Sequence, residues 1–488
     1  MSKLEDLTSW NSAWSELRVV VYGLGVSGFS AADTLHELGA KVFVIADKAD
    51  EKLVEVLDVL GVESLIGAQE KSQLEALRDF NPELLIVSPG IRPDNYLLST
   101  ATSLGVQVWT DIDLAWRLRD KHGMPSNWIC ITGTNGKTTV TQLVEAMLIS
   151  AGIRAVACGN IGTPILDVVR DPAAFEVLVI ELSSFQLHYL NEIAPIVSTV
   201  LNIADDHLDW HGSLEAYTEA KAKIYHNSSI CCVYNAGDSV TEKLVSKSRG
   251  TENAQAVGFA VNTPRPNEIG WVEDILVDRA FIDDPAEAQE LATFADLKKI
   301  PVISPHLMAN IAAASAIARA VGIQPLEIQN ALQGFVLDAH RIELVLEQDG
   351  IRWIDDSKAT NPHAAAAALA SFDSVIWIVG GLLKGVDIAP LIERYAARIK
   401  FAIIIGVDRA PVAEAFRTKA ANIPFVEITD SEDAVMTAVI DIAKAKAVSG
   451  DVVLLAPAAA SMDQFIDYAD RGNAFTKAIE QGVRNTNG

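Results

Sequence analysis

At 488 residues the chain is too long for a single hydrophobic core, and its length predicts about three domains. Half of the residues are hydrophobic and 21% are charged, an ordinary balance for a folded globular protein. The 64 acidic residues outnumber the 39 basic ones for a net charge of -25, which excludes an extended nucleic-acid face but leaves room for phosphates bound locally by loops, helix ends and metal ions.

The first ten residues carry no apolar run of the signal-peptide kind. Short β-branched runs then alternate with helical periodicity along most of the chain, which predicts α/β folding with mostly parallel sheets. Residues 18–22, Arg-Val-Val-Val-Tyr, read as a buried strand. Gly23-Leu24-Gly25-Val26-Ser27-Gly28 follows, then a helix to about residue 39 and a second strand over 41–45 that leads to Asp47. Strand, GxGxxG, helix, strand and acidic residue make up the dinucleotide fingerprint, whose glycines permit a tight turn and the approach of a pyrophosphate to a helix N-terminus. Gly25, Val26, Ser27 and Asp47 are therefore candidate contacts. Taken alone the pattern supports an NAD-dependent dehydrogenase. The same geometry suits any nucleoside diphosphate, and a glycine turn without a ligand is the plain alternative.

After a turn-rich break at 122–127, residues 128–131 form a short strand ahead of Thr132-Gly133-Thr134-Asn135-Gly136-Lys137-Thr138-Thr139. Val140, Leu143, Val144, Met147 and Leu148 recur beyond it at helical spacing. The backbone N–H groups of such a loop point at phosphate oxygens. Lys137 supplies a compact charge to the β- and γ-phosphates, and Thr138 offers its hydroxyl to Mg²⁺. Ile131 stands where the general phosphate-loop pattern has a glycine, so the loop is a variant. Glu181 closes the apolar run 177–180, where a carboxylate beside a phosphate loop is placed to bind Mg²⁺. His207 and His211 stand four apart, but no thiol or HExxH pattern accompanies them, so zinc is not expected. Lys221, read from composition alone, is a solvated helix lysine, with Lys223 close by. The segment 246–300 is polar and weakly periodic, and a β-rich excursion is expected there.

The variant loop, TGTNGKT, resembles the signature of the Mur ligase and folylpolyglutamate synthase superfamily, and the resemblance runs through most of the chain. Several residues match further family blocks, and their roles are what the resemblance implies. The loop Gly133, Thr134, Asn135, Gly136, Lys137, Thr138 and Thr139 would bind ATP, and Asn160 looks like the adenine-contacting Asn. Glu181 would bind Mg²⁺. Asn202 to Asp209 resembles N-x-x-x-D-H-x-D, in which His207 is a ligand of a second Mg²⁺. The Tyr217-x-x-x-Lys221-x-x-Ile224-Tyr225 spacing favours Lys221 over Lys223 as the lysine carbamylated by CO₂. His306-Leu307-Met308-Ala309-Asn310 resembles H-N-x-x-N with its second Asn kept as Asn310 and its first replaced by Leu307.

The third unit follows a break at 334–339 and opens on His340-Arg341-Ile342-Glu343, similar to H-R-x-E. There Arg341 would steady the transferring phosphate from another domain. Asp355-Asp356-Ser357-Lys358-Ala359-Thr360-Asn361 carries the D-S-K-A-T-N form, implying ribose contact for Asp356 and phosphate and amino-acid contacts for Lys358 and Thr360. Strands over 375–379, 401–405 and 452–455 are expected. Within the family, Ser183 to Leu187 and the block from Ser461 through Phe465 and Tyr468 to Arg471-Gly472 look like those of the D-glutamate-adding enzyme. Gly381-Leu382-Leu383-Lys384-Gly385 resembles its lysine-bearing turn. Ser88, Pro89 and Gly90 lie in a matching block of the first unit.

The resemblance thus implies three domains. They are an N-terminal Rossmann-like, UDP-binding unit over 1–111, a central phosphate-loop ATP-binding unit over 112–337 and a C-terminal Rossmann-like, amino-acid-binding unit over 338–488. It implies ATP, two Mg²⁺ ions and a carbamylated lysine. The implied reaction joins D-glutamate to UDP-N-acetylmuramoyl-L-alanine through an acyl phosphate, with Ser183 and His207 also on the substrate side. A folylpolyglutamate synthase would share the ATP core but lack the N-terminal unit, and a non-catalytic nucleotide-binding module leaves the polar blocks unexplained. The four cysteines, at 130, 158, 231 and 232, form no CxxC pair, which fits a reducing compartment. The longest apolar stretches, such as 311–318 ended by Arg319, are too short to span a bilayer. A cytoplasmic monomer, without nucleic-acid or membrane partners, is the expectation.

Overall fold

A computed structural model describes residues 4–247, 251–284, 286–300, 302–429 and 434–482. Three sheets define three α/β domains. In the first, β1 (Arg18–Leu24), β2 (Lys41–Ala49), β3 (Glu63–Ile66), β4 (Leu84–Val87) and β5 (Gln107–Trp109) lie in the order β3-β2-β1-β4-β5. All the pairings are parallel. Val19, Val20, Val21 and Tyr22 are buried because the central strand of a parallel sheet is covered on both faces. Helix Val26–Glu37 starts at Gly25 and packs close to the strand turn. A Cβ on Gly28 would collide with the Gly23 carbonyl, so glycine is required where helix and turn touch.

The central sheet holds β6 (Asn127–Thr132), β7 (Ala155–Gly159), β8 (Val177–Glu181), β9 (Val197–Val200), β10 (Cys231–Asn235), β11 (Gln255–Phe259), β12 (Glu268–Val272), β13 (Ile275–Asp278) and β14 (Gln289–Thr293). Its order is β14-β13-β12-β11-β10-β9-β6-β8-β7. The expected excursion is thus a continuation of the main sheet, finished by the antiparallel strands β12, β13 and β14. Helix Pro305–Ala320 packs against β10, β11 and β12, with Ala312, Ala313 and Ala316 wholly buried. Arg319, which ends its apolar stretch, pairs with the fully buried Asp278 at 2.8 Å. A charge is tolerated that deep only when paired.

The third sheet orders β15 (Glu343–Gln348), β16 (Ile351–Asp355), β17 (Val375–Gly380), β18 (Ile399–Ile405), β19 (Phe425–Glu427) and β20 (Val452–Leu455) as β15-β16-β20-β17-β18-β19. Only β15 runs antiparallel within it. The first two domains share one continuous core, in which Leu17, Val19 and Leu35 of the first belong with Trp128, Leu178 and Val200 of the second. Arg170 reinforces that junction through Asp33 at 2.7 Å and Glu37 at 3.2 Å. The third domain meets the second mainly through polar contacts at the phosphate loop. Among the described residues no helix is long and apolar enough to cross a membrane, and all four cysteines are free and buried.

Candidate active site

The phosphate loop leaves β6 and enters helix Lys137–Ser150 at Gly136, whose φ of +87° is a left-handed conformation natural to glycine. A side chain there would also strike the amide of Asn310, so the second Asn of the 306–310 block lies directly on the loop. Lys137 Nζ turns back to donate to the Gly133 carbonyl at 3.0 Å and the Thr134 carbonyl at 2.9 Å. Thr138 Oγ1 donates to Glu181 Oε2 at 2.9 Å, and Asn160 Nδ2 donates to Glu181 Oε1 at 3.0 Å. Glu181 is buried with these two neutral partners and, among the described residues, no cation within ion-pair distance.

Lys221 is 1% exposed. Its Nζ donates to the Gly133 carbonyl at 2.9 Å and Thr132 Oγ1 at 3.2 Å, with no carboxylate in contact among the described residues. Burial pushes the ammonium well below the ordinary lysine range and the charge of Lys137 adds to this, while Asp206 and Glu181 oppose it. The picture of a solvated helix lysine, drawn from composition, is overturned. Lys223 instead reaches the His188 carbonyl, away from the loop. His207 adopts φ +54° and its N–H donates to Asp206 Oδ1 at 3.0 Å. Burial lowers its pKa, and Lys384, Lys137 and Lys221 add to the effect against Asp206. Lys384 therefore brings a third-domain charge to the histidine. His211 pairs with Ser184 Oγ at 3.0 Å, and no triad of metal-type ligands forms around it among the described residues.

From the third domain, Arg341 and Lys358 face the loop. A cleft of about 610 Å³ is lined by Asn135, Gly136, Thr139, Asn310, Arg341, Asp356 and Lys358. Arg341 Nε is buried at this cleft with no hydrogen-bond partner among the described residues. Burial raises Asp356 to about 8 and lowers Lys358 to about 8, with Arg341 next in line for Lys358. A second cleft, of about 1000 Å³, is lined by Thr138, Asn160, Glu181, Asp338, Lys358 and Tyr468. Lys358 lines both, its Nζ 4.9 Å above the Tyr468 ring. Leu307 is a buried apolar wall of the first cleft. The domains meet through a reciprocal amide pair, Asn135 Nδ2 to Asn361 Oδ1 at 3.3 Å and Asn361 Nδ2 to Asn135 Oδ1 at 3.0 Å, and through Gln142 and Asp338 at 2.9 Å.

At the carboxyl ends of β16, β20 and β17 three loops are stitched together. The Ala458 N–H donates to the Ala359 carbonyl, and Leu382 and Ala460 exchange two hydrogen bonds of 2.9 Å. Thr360, Ser461 and the Lys384 turn thus share one edge. In the first domain, Ser88 Oγ donates to the Gly23 carbonyl at 3.1 Å. That places Ser88, Pro89 and Gly90 beside Gly25, Val26 and Ser27 at the switch point between β1 and β4, where open α/β sheets take their ligands. Asp47, near the end of β2, accepts from Gln73 at 3.0 Å.

β7 pairs with β8 in a register that sets Gly159 opposite Glu181 and carries Asn160 to that carboxylate. Phe465 is half-buried and packs against the core holding Trp353, Ile405 and Phe475. Ser183 is engaged in a capping box with Gln186. Asp338 carried no motif in the sequence, and the partners of Asn361 and Arg471 lie far along the chain from their motifs.

A phosphate loop faced by an arginine and a lysine from a second domain is the arrangement of an ATP-dependent ligase. Residues 131–318 match the family described as Mur ligase middle domain, residues 340–459 the Mur ligase glutamate ligase domain, and residues 17–110 the MurD-like N-terminal domain of Mur ligases. The chain is 52% identical to a UDP-N-acetylmuramoylalanine--D-glutamate ligase of Leifsonia xyli, over 98% of this chain and 95% of that one. It is 45% identical to a ligase of the same name from Streptomyces avermitilis, over 96% and 98%. The fold is shared with the UDP-N-acetylmuramate-alanine ligase MurC of Thermotoga maritima, with a TM-score of 0.56 at 17% identity over 96% of this chain and 100% of that one. The chain belongs to the Mur ligase family, and it is an ATP-dependent, amide-forming ligase.

Proposed function

We propose that the chain joins D-glutamate to UDP-N-acetylmuramoyl-L-alanine, using ATP, in cytoplasmic peptidoglycan precursor synthesis. The full-length likeness to relatives bearing that ligase name carries the reading. A carboxylate is a poor acyl donor. Moving the γ-phosphoryl group of ATP onto the alanyl carboxylate makes a mixed anhydride, and the amine of D-glutamate then attacks the acyl carbon and expels phosphate. No side-chain nucleophile is needed. What the protein must supply is position and preorganised positive charge.

In this reading the loop from Gly133 to Thr139 cradles the phosphates, with Lys137 on one side and Arg341 on the other. Asn310 and Asp356 hold the nucleoside in the first cleft. Lys358 stands where the two clefts join, at the point of phosphoryl transfer. Thr138, Glu181, His207 and Lys221 would hold two Mg²⁺ ions, which when bound neutralise phosphate charge. A buried carboxylate held by a hydroxyl and an amide, with no cation at ion-pair distance among the described residues, fits that demand. Lys221, buried and held toward its neutral form, adds to CO₂ with loss of one proton. The resulting N-carboxylate replaces a cation that would repel Mg²⁺ with an oxygen ligand. Gly25, Val26, Ser27, Asp47, Ser88, Pro89 and Gly90 would take the UDP, with Ser183 nearer the reacting end.

Thr360, Lys384 and Ser461, with Tyr468, would seat D-glutamate. Attachment of both carboxylates and the amine fixes the handedness of the α-carbon, so L-glutamate should be used at least about 10²-fold less well. Lys384→Ala should raise KM for D-glutamate about 10–100-fold, the cost of one charged hydrogen bond, with ADP affinity unchanged. Phosphate release with UDP-N-acetylmuramoyl-L-alanine, ATP and a panel of amino acids tests both points. Equal turnover with L-glutamate, or preference for a diamino acid, overturns the choice of acceptor.

A further inference from the structure

The sequence block that ends in Arg471-Gly472 is not used up by the reaction. Arg471 lies in the first turn of helix Tyr468–Gly482 and is 1% exposed, among the largest wholly buried side chains of the protein. A buried guanidinium normally lies against a carboxylate. Here none comes within ion-pair distance among the described residues. Its nitrogens are instead spent on neutral oxygens of two loops. Nε donates to Ser357 Oγ at 3.0 Å, one terminal nitrogen to the Ser357 carbonyl at 2.8 Å, and the other to the Ala459 carbonyl at 3.1 Å. Ser357 Oγ in turn donates to the Tyr468 carbonyl at 2.7 Å. Ser357 precedes Lys358 and Thr360, and Ala459 precedes Ser461. The two loops follow the neighbouring strands β16 and β20. The adjacent Gly472 belongs to the same junction, because a Cβ there would collide with the His340 ring and the Asp355 carboxylate.

We propose that Arg471 is a positioning residue for the acceptor amino acid, bolting the Lys358–Thr360 loop to the Ala459–Ser461 loop from below while lending an unpaired positive charge to the seat of a dicarboxylate. The inference rests on the D-glutamate reading above. A planar fork can reach both loops at once, which a lysine cannot. Asp355 and Asp463 are the acids close enough to be felt at Arg471, and both are held by other donors. Asp355 accepts from the Ser357 N–H at 2.8 Å and pairs with His340 at 2.6 Å. Asp463 accepts from the Val407 N–H at 2.9 Å.

The test compares Arg471→Met, Arg471→Lys and Ser357→Ala in the full-length enzyme, measuring KM for D-glutamate, KM for ATP, ADP affinity and thermal unfolding. Arg471→Met should raise KM for D-glutamate about 10–100-fold, the scale of lost charged hydrogen bonds, with ADP affinity nearly unchanged. Arg471→Lys, which keeps the charge but not the bridge, should fall between Met and the parent. Ser357→Ala loosens the same junction without touching the charge, and should raise KM for D-glutamate several-fold even if Arg471→Met does not fold. An unchanged KM for D-glutamate in Ser357→Ala, or matching losses for both substrates in every variant, overturns the inference. A parent enzyme that ignores D-glutamate overturns the acceptor reading itself, a separate outcome.

Discussion

Lys137→Ala should lower phosphate release at least about 10²–10³-fold, the loss seen when one preorganised charge is taken from a transition state. The side chain is already at the loop, turned onto the Gly133 and Thr134 carbonyls, so the enzyme need only swing it toward an arriving phosphate. Both of its hydrogen bonds are to its own loop, so the variant should keep its fold and its thermal unfolding. Steady-state phosphate release beside circular dichroism checks both halves. Near-normal turnover in the folded variant would remove the loop from the chemistry.

Lys221→Ala should be nearly inactive, and a short-chain carboxylic acid that enters the vacated space should restore part of the rate. The expectation comes from a lysine that is wholly buried, makes no ion pair among the described residues and lies against a loop carbonyl and a hydroxyl. Such an amine is disfavoured as a cation and favoured as a nucleophile toward CO₂. Depleting dissolved CO₂ should slow the parent enzyme and leave the rescued variant unaffected. A parent rate indifferent to CO₂, together with an unmodified ammonium at 221 in a metal-bound crystal structure, would refute the modification.

The parts of this site that could be read in the sequence are those that one strand, loop and helix bring together unaided. Residues 132–139 and 355–361 are of this kind, since their chemistry is contiguous and their geometry local. Glu181 was legible because it ends a strand next to the loop. Contacts such as Asn135 with Asn361 and Gln142 with Asp338 join residues 226 and 196 positions apart, and no local pattern encodes them. The core beneath Phe465 is likewise visible only in the packed domain. Arg471 stands in a block matched in the sequence, but its burial and its bonds to Ser357 and Ala459 appear only once the fold brings the two loops together.

The core shared by the first two domains has a consequence for how the chain is made. A nascent chain leaves the ribosome from its N-terminus at about 5–20 residues per second, and domains usually fold as they emerge. The first sheet cannot finish in that way. Trp109, Ile112, Leu114 and Leu118 need partners such as Trp128, Leu178 and Val200, and these are synthesised later. For several seconds of synthesis that apolar face has no cover, a window in which chaperones can engage it and in which slow translation prolongs the risk of aggregation. The third domain, with its own cores, can fold afterwards against a finished platform.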